Sequence, residues 1–292
     1  MQESLSLWIK GARPRTLPAA IAPVAVGTAC VSVEANATAN WSNAILALIV
    51  SLALQVAVNY ANDYSDGVRG TDDKRVGPLR LVGSGAKTAS AVKRAAFLSF
   101  GVAAIFGLIL ALLTSLWLLV VGVLCILAGW FYTGGKKPYG YFGLGEVFVF
   151  VFFGVVATTG TTFVIIEKLT VTSFTASLVV GALACALLAV NNLRDIDGDT
   201  LARKRTLAVR LGDKNARSFF VSLFVLALLA IFMLALNYPL ALLGLIGLSS
   251  AFASIKRVRS GAVGSELISV LSMTGRTQIL TAITLSIGLI LS

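Results

Sequence analysis

Two short polar stretches interrupt an otherwise apolar chain, and both are rich in aspartate. Residues 59–75 read NYANDYSDGVRGTDDKR and hold Asp63, Asp66, Asp72 and Asp73, four of the thirteen acidic residues. Residues 190–214 read VNNLRDIDGDTLARKRTLAVRLGDK and hold Asp195, Asp197 and Asp199. With Asp63 set against Asp195, Asn59 falls on Asn191, so each stretch carries Asn-x-x-x-Asp. Residues at i, i+3 and i+4 share a helix face. Helices running on through these stretches would carry two polar ridges, Asn59/Asp63/Asp66 and Asn191/Asp195/Asp199. Facing each other, the ridges place four carboxylates around one cavity, where unpaired anions would repel and hold their protons. A divalent cation removes that conflict. The chain contains no histidine, and an all-carboxylate set suits Mg²⁺, Mn²⁺ or Ca²⁺. Mg²⁺ in particular is held by one or two carboxylates together with substrate phosphate oxygens.

Cations follow each acidic stretch: Arg69, Lys74, Arg75 and Arg80 after the first, Arg203, Lys204, Arg205 and Arg210 after the second. Carboxylates for metal beside Arg and Lys for phosphate oxygens describe a diphosphate site. A plainer explanation competes, because Asp caps helices and turns and basic loops follow from membrane topology alone. The matched Asn residues, the shared side and the spacing of four spans favour a shared metal–diphosphate site.

The elements that must position these residues are membrane helices. The chain has 292 residues, 57% hydrophobic and 13% charged, against about 45–50% and about 25% in soluble domains. Hydrophobic spans are expected at 16–33, 43–62, 92–113, 115–133, 144–166, 173–192, 217–236, 239–254 and 275–291. The expected fold is all-α, a bundle of nine transmembrane helices forming one domain over residues 1–292. Its acidic stretches end the second and sixth spans. This suggests two pseudo-repeated four-helix halves, about 1–133 and 134–254, plus a ninth helix at 275–291. With alternate loops assigned to one side, that side holds 23 of the 24 Lys and Arg, and Lys168 stands alone opposite. The positive-inside bias puts the N-terminus and both acidic stretches in the cytoplasm and the C-terminus outside. The net charge of +11 is thus topological and gives no reason to expect nucleic acid. Trp8 and Ile9 beside Lys10, Arg13 and Arg15 read as an interfacial helix, not a signal peptide. Cys30, Cys125 and Cys185 all fall in spans, which suggests neither a disulfide framework nor a zinc site.

The connector between the fourth and fifth spans, WFYTGGKKPYGYFGLGEVFVFVFFG at 130–154, adds Tyr132, Lys136, Lys137, Tyr139 and Glu146 at the same face. An interfacial aromatic belt accounts for Trp130 and Tyr141. Glu146 opens a span, and acids inside membranes are functional by default. Phe148, Phe150, Phe152 and Phe153 are expected to face lipid or other helices.

These segments resemble a known family. NDYSDGVRGTD, GPLRLVGS, YTGGKKPYGYFGLGE, FFG and NNLRDIDGD…TLAVRLGD are similar to the UbiA-like membrane prenyltransferases. Within them they resemble the dihydroxynaphthoate polyprenyltransferases of menaquinone biosynthesis, of actinobacterial type. ARPRTLPAAIAP resembles that subfamily's start, and the likeness runs to about Ser260. It implies a bundle with a central cavity open to the plasma membrane bilayer. There Asp63, Asp66, Asp195 and Asp199 would bind two Mg²⁺ (Mn²⁺ being an alternative) that bridge the diphosphate of a polyprenyl donor. Asp72 is preferred to Asp73 as a further metal ligand, and Asp197 is set aside as off the Asp195/Asp199 face. Asn59, Asn62, Asn191, Arg69, Lys74, Arg194, Lys204, Lys136, Lys137, Tyr139 and Glu146 would contact substrates, and Tyr132 would steady an allylic cation. Arg13 and Arg15 would meet the acceptor's carboxylate or anchor the chain at the interface. The implied reaction is prenyl transfer to 1,4-dihydroxy-2-naphthoate with decarboxylation, giving demethylmenaquinone. Other aromatic or sugar acceptors, or a secondary transporter, remain as alternatives. Chain length of the donor and oligomeric state are not legible.

Overall fold

Proline and small polar residues punctuate the apolar chain, and the helices follow that punctuation. The computed structural model describes residues 2–34, 38–71 and 79–292, with side chains from residue 5 onward. Asp72, Asp73, Lys74 and Arg75 lie outside the described residues.

Helix α1 (Gln2–Ala12) packs on α3 (Ser42–Val68), with Trp8 edge-on to Tyr60 at 5.7 Å and the Tyr60 hydroxyl donating to the Trp8 carbonyl at 2.8 Å. Pro14 and Pro18 lack the N–H a continuing helix needs. The chain therefore turns between α1 and α2 (Pro18–Cys30), and the segments Leu5–Thr16 and Pro18–Val33 meet at 53°. There follow α4 (Ala89–Leu113), started by a Thr88 cap, and α5 (Trp117–Phe131). Next come α6 (Gly145–Ile166), α7 (Val171–Arg194) and the short α8 (Ile196–Leu201). The chain ends with α9 (Leu207–Ala235), the bent pair α10 (Pro239–Ser249) and α11 (Ala251–Arg259), and α12 (Glu266–Ile290). No strand occurs among the described residues.

Helices α3, α4, α6, α7 and α9 are long and apolar enough to cross a membrane, and seven spans result if each bent pair counts as one. The chain is a multi-pass helical membrane protein. Each of the nine expected spans overlaps a helix. However, α5 has only 15 residues, and Arg276 and Gln278 dilute the apolar run of α12.

Helix α7 is the axis of the bundle. Its most apolar window is 83% buried, against 28–39% for the other four long helices. Its sequence explains this, because nine of its 24 residues are Ala, Gly, Ser or Cys, small enough to let neighbours approach. Helix α6 crosses it closely at Gly181, where a Cβ on Gly154 of α6 would lie 2.5 Å from the Gly181 Cα. Helix α6 widens into a π-helical segment, Phe150–Val156, at this crossing, a distortion common near functional sites. The buried axis ends at Asn191, Asn192 and Arg194, so the second acidic stretch is delivered by the most constrained helix in the molecule.

Candidate active site

The ends of α3 and α7, with the connector 132–144, enclose a cavity of about 800 Å³. Its mouth is lined by Arg13, Asn59, Asn62, Asp66, Arg80, Tyr132, Tyr139, Tyr141, Asn191, Asn192, Arg194, Asp195, Asp197, Asp199 and Lys204. Deeper in, Leu54, Val58, Leu110, Leu118, Phe148, Phe152, Phe153 and Val156 form apolar walls. A polar head joined to a long apolar channel can take a charged group with a hydrocarbon tail.

Helix α3 does run on to Val68, as the first ridge requires, but its two acids part company. Asp66 lines the cavity. Its Oδ1 accepts from the Tyr141 hydroxyl at 2.7 Å, and its Oδ2 lies 3.1 Å from the Lys204 ammonium. Asp63 is fully buried outside the cavity lining, where its oxygens accept from the Leu81 and Val82 amides at 2.8 and 3.0 Å. Asn59 lines the cavity but uses its amide to hold the N-terminal segment, donating to the Ala12 carbonyl and the Thr16 hydroxyl at 2.9 and 3.0 Å. Asn62 accepts from the Thr133 hydroxyl at 2.8 Å.

The second stretch departs from the expected continuous ridge. Helix α7 stops at Arg194, Asp195 takes a non-helical conformation (φ −98°, ψ 6°), and Asp199 sits on the separate α8. The break turns Asp197 into the cavity as well, which a continuous-helix argument excluded. Arg194 grips Asp195 with two bonds of 2.7 Å and reaches Asn191 at 2.9 Å. After α8, Arg203 adopts a left-handed turn (φ 56°). The Lys204 amide then bonds the Asp199 carbonyl at 2.7 Å, and the Arg205 amide bonds the Tyr141 carbonyl at 3.0 Å. These bonds aim Lys204 back between the stretches, 3.1 Å from Asp66 and 3.9 Å from Asp199. One ammonium thus joins carboxylates that lie 133 positions apart in sequence.

Tyr141, assigned above to an interfacial belt, is part of this junction. Besides its bond to Asp66, its ring faces Lys204 at 4.8 Å and Arg69 at 5.4 Å. Burial, and then the Asp66 charge, push its phenol above the usual range; burial does the same to Tyr139. Both stay protonated donors at neutral pH. Tyr132, Tyr139, Phe148 and Phe152 form a continuous aromatic wall, with successive ring centroids at 5.6, 3.9 and 5.9 Å. Phe148, Phe152 and Phe153 therefore face the cavity, against expectation. Periodicity gave no signal for this, because residues 147–156 are apolar all round and mark no inward face.

Several expected contacts fall elsewhere. Arg69 donates to the backbone carbonyls of Thr133 and Gly135 and pins the connector. Lys136 and Lys137 are exposed and, with Arg15, stand off the cavity lining. Glu146 is buried behind the wall, where Oε1 accepts from Asn192 at 2.9 Å and Oε2 has no hydrogen-bond partner among the described residues. Asn192, missed in sequence, is the residue that links Glu146 to the cavity.

Among the described residues, no three His, Cys, Asp or Glu side chains converge to hold an ion. The oxygen donors lie on two sides, Asn62 and Asp66 from α3 and Asp195 and Asp199 from the second stretch. Such a split, all-oxygen set fits Mg²⁺ completed by substrate phosphate, not a closed protein cage.

Comparison with known proteins agrees with this geometry. The profile of the UbiA prenyltransferase family matches residues 20–266. The chain is 49% identical over 280 residues to 1,4-dihydroxy-2-naphthoate octaprenyltransferase of Mycobacterium tuberculosis, covering 96% of this chain and 95% of that one. It is 35% identical to the Escherichia coli protein of the same name, covering 98% and 95%. In fold it is similar to a UbiA homologue from Aeropyrum pernix (TM-score 0.72, 15% identity, covering 92% and 96%). It is also similar to one from Archaeoglobus fulgidus bound to GPP and Mg²⁺ (TM-score 0.70, 13% identity, covering 98% and 99%). The chain belongs to the UbiA prenyltransferase family.

Proposed function

We infer that this protein transfers a polyprenyl group from polyprenyl diphosphate to 1,4-dihydroxy-2-naphthoate, with loss of CO₂, on the path to menaquinone. The observation that carries the reading is the cavity itself, in which carboxylates and cations from two stretches meet over a long apolar channel. The near full-length relatives with that activity support the choice of acceptor.

Asp66, Asp195 and Asp199 would hold Mg²⁺ together with the substrate's phosphate oxygens. Bound Mg²⁺ neutralises charge developing on the leaving diphosphate. Lys204 leaves Asp66 for phosphate oxygens, and Arg194, which lines the same cavity, adds its charge. The apolar walls take the prenyl tail. As the allylic C–O bond breaks, its electron pair goes to the diphosphate, and Tyr132 with Phe148 presents π faces to the carbocation. The electron-rich ring attacks the prenyl carbon, and loss of the ring carboxylate as CO₂ restores aromaticity. Arg13, in a left-handed conformation (φ 53°), enters the cavity beside Thr16 and Asn59, where it suits the acceptor's carboxylate. It takes over the role that sequence offered equally to Arg15. Asp63 is left to hold the loop at Leu81 and Val82.

The charge distribution supports nine spans in two halves plus a last helix, set in the cell membrane. The N-terminus and cavity mouth would be cytoplasmic and the C-terminus outside. Purified protein given polyprenyl diphosphate, dihydroxynaphthoate and Mg²⁺ should yield a prenylated quinol whose mass shows CO₂ loss. Turnover with hydroxybenzoate but not with dihydroxynaphthoate, or full turnover in EDTA, would refute the reading.

A further inference from the structure

Arg15 has no place in the reaction cavity, and its actual surroundings suggest another ligand. The left-handed turn at Arg13 sends successive arginines to opposite sides of the N-terminal segment. Arg13 enters the cavity, while Arg15 opens onto a separate groove of about 370 Å³ between the start of α2 and the middle of α12. Gly275 forms the floor. A Cβ there would touch the Arg15 carbonyl at 3.4 Å and Pro18 at 3.7 Å, so the two elements meet directly. Arg276 and Ser272 of α12 complete the polar rim, and Ile279 and Leu280 continue the groove downward. Both arginines are exposed. Among the described residues, neither guanidinium has a hydrogen-bond or ion-pair partner.

The level of this pair in the membrane is set by α12. From Arg276 to Ile290 the helix rises roughly 21 Å at 1.5 Å per residue, so with Ile290 at one boundary of the ~30 Å hydrocarbon core the Arg276 backbone lies about 9 Å inside the other, a distance most of which a long side chain spans. Below them an exposed apolar strip runs along both helices through Ile21, Leu280, Ile283 and Ile287. One arginine at this depth would be ordinary snorkelling. Two unpartnered guanidiniums and a hydroxyl around one groove, with a strip for hydrocarbon beneath, match a phosphate head with acyl chains. Two fixed positive charges disfavour the cationic head of a zwitterionic lipid. We propose that this groove binds an anionic phospholipid, its phosphate held by Arg15 and Arg276 and its acyl chains lying on the Ile21–Leu280–Ile283–Ile287 face.

Native mass spectrometry of the full protein in neutral detergent tests this, with phosphatidylglycerol, phosphatidylcholine or inorganic phosphate added. The wild type should retain phosphatidylglycerol about 30-fold better than phosphatidylcholine. The Arg15→Gln/Arg276→Gln variant should lose that preference while its melting temperature without added lipid stays unchanged. Should the double variant fail to fold, Arg276→Gln alone, on an exposed helix face, should show a partial loss. Equal retention of the two lipids by the wild type, or undiminished preference in the folded variants, overturns the proposal. Displacement of phosphatidylglycerol by equimolar inorganic phosphate also overturns it, because the groove would then be a free-anion site.

Discussion

Asp63 and Asp195 occupy matching positions in the two Asn-x-x-x-Asp stretches, yet their surroundings have little in common. Asp63 stays on an unbroken 27-residue helix that turns it away from the cavity and onto the backbone amides of Leu81 and Val82. Asp195 sits where α7 breaks, so it faces the cavity in the grip of Arg194, with Asp197 and Asp199 beside it. On the first side one acid, Asp66, is presented among the described residues; on the second side there are three. The comparison teaches that the course of the helix past the motif, not the spacing within it, decides which carboxylate faces the cavity. It also shows why Lys204 matters, since it is a direct ion-pair link between the two sides.

The largest effect belongs to Asp66. Asp66→Asn should lower kcat on the order of 1000-fold, as loss of a preorganised charge at a reacting centre does, and should lower the melting temperature as well, because the largely buried Lys204 loses its nearest counter-charge. Asp195→Asn should lower kcat on the order of 100-fold. It should also lower the melting temperature, because the nearly inaccessible Arg194 loses its counter-charge, at a cost of about 3 kcal/mol. A Lys204→Gln variant separates the link from the acids. The KM for polyprenyl diphosphate should rise about tenfold, as for loss of one charge-assisted contact, while Mn²⁺ binding without donor, followed by electron paramagnetic resonance, should tighten. Asp63→Asn should cost only a few-fold in kcat. It should destabilise by about 1–3 kcal/mol, because one buried amide loses its acceptor, and limited proteolysis after residue 78 should speed up. Least affected should be Lys136→Gln/Lys137→Gln, within about twofold of wild type in donor KM.

Much of this was legible from the chain. Its helical class, the helix positions and the meeting of two acidic stretches follow from hydropathy, charge asymmetry and the Asn-x-x-x-Asp spacing. Individual side chains were harder to place wherever helical phase failed. A continuous helix through Asn191 to Asp199 excluded Asp197, and the break at Asp195 restores it. Residues 147–156 are apolar all round, so their pattern did not show that Phe148 and Phe152 face the cavity. Tyr141 depends on a short turn and on a backbone bond to Arg205, contacts distant in sequence that leave no periodic trace. Arg13 and Arg15 looked equivalent until the left-handed turn separated them.

The central claim is that Asp66, and not its neighbour Asp63, presents the first stretch's charge to Mg²⁺ and diphosphate. It is tested most directly by measuring prenyl transfer over a Mg²⁺ titration for wild type, Asp63→Asn and Asp66→Asn, each shown to be folded. The account predicts that Asp63→Asn keeps measurable turnover with an unshifted Mg²⁺ midpoint, while Asp66→Asn is silent or needs far more Mg²⁺. Equal silence of two folded variants, or an unshifted Mg²⁺ dependence in Asp66→Asn, would contradict it.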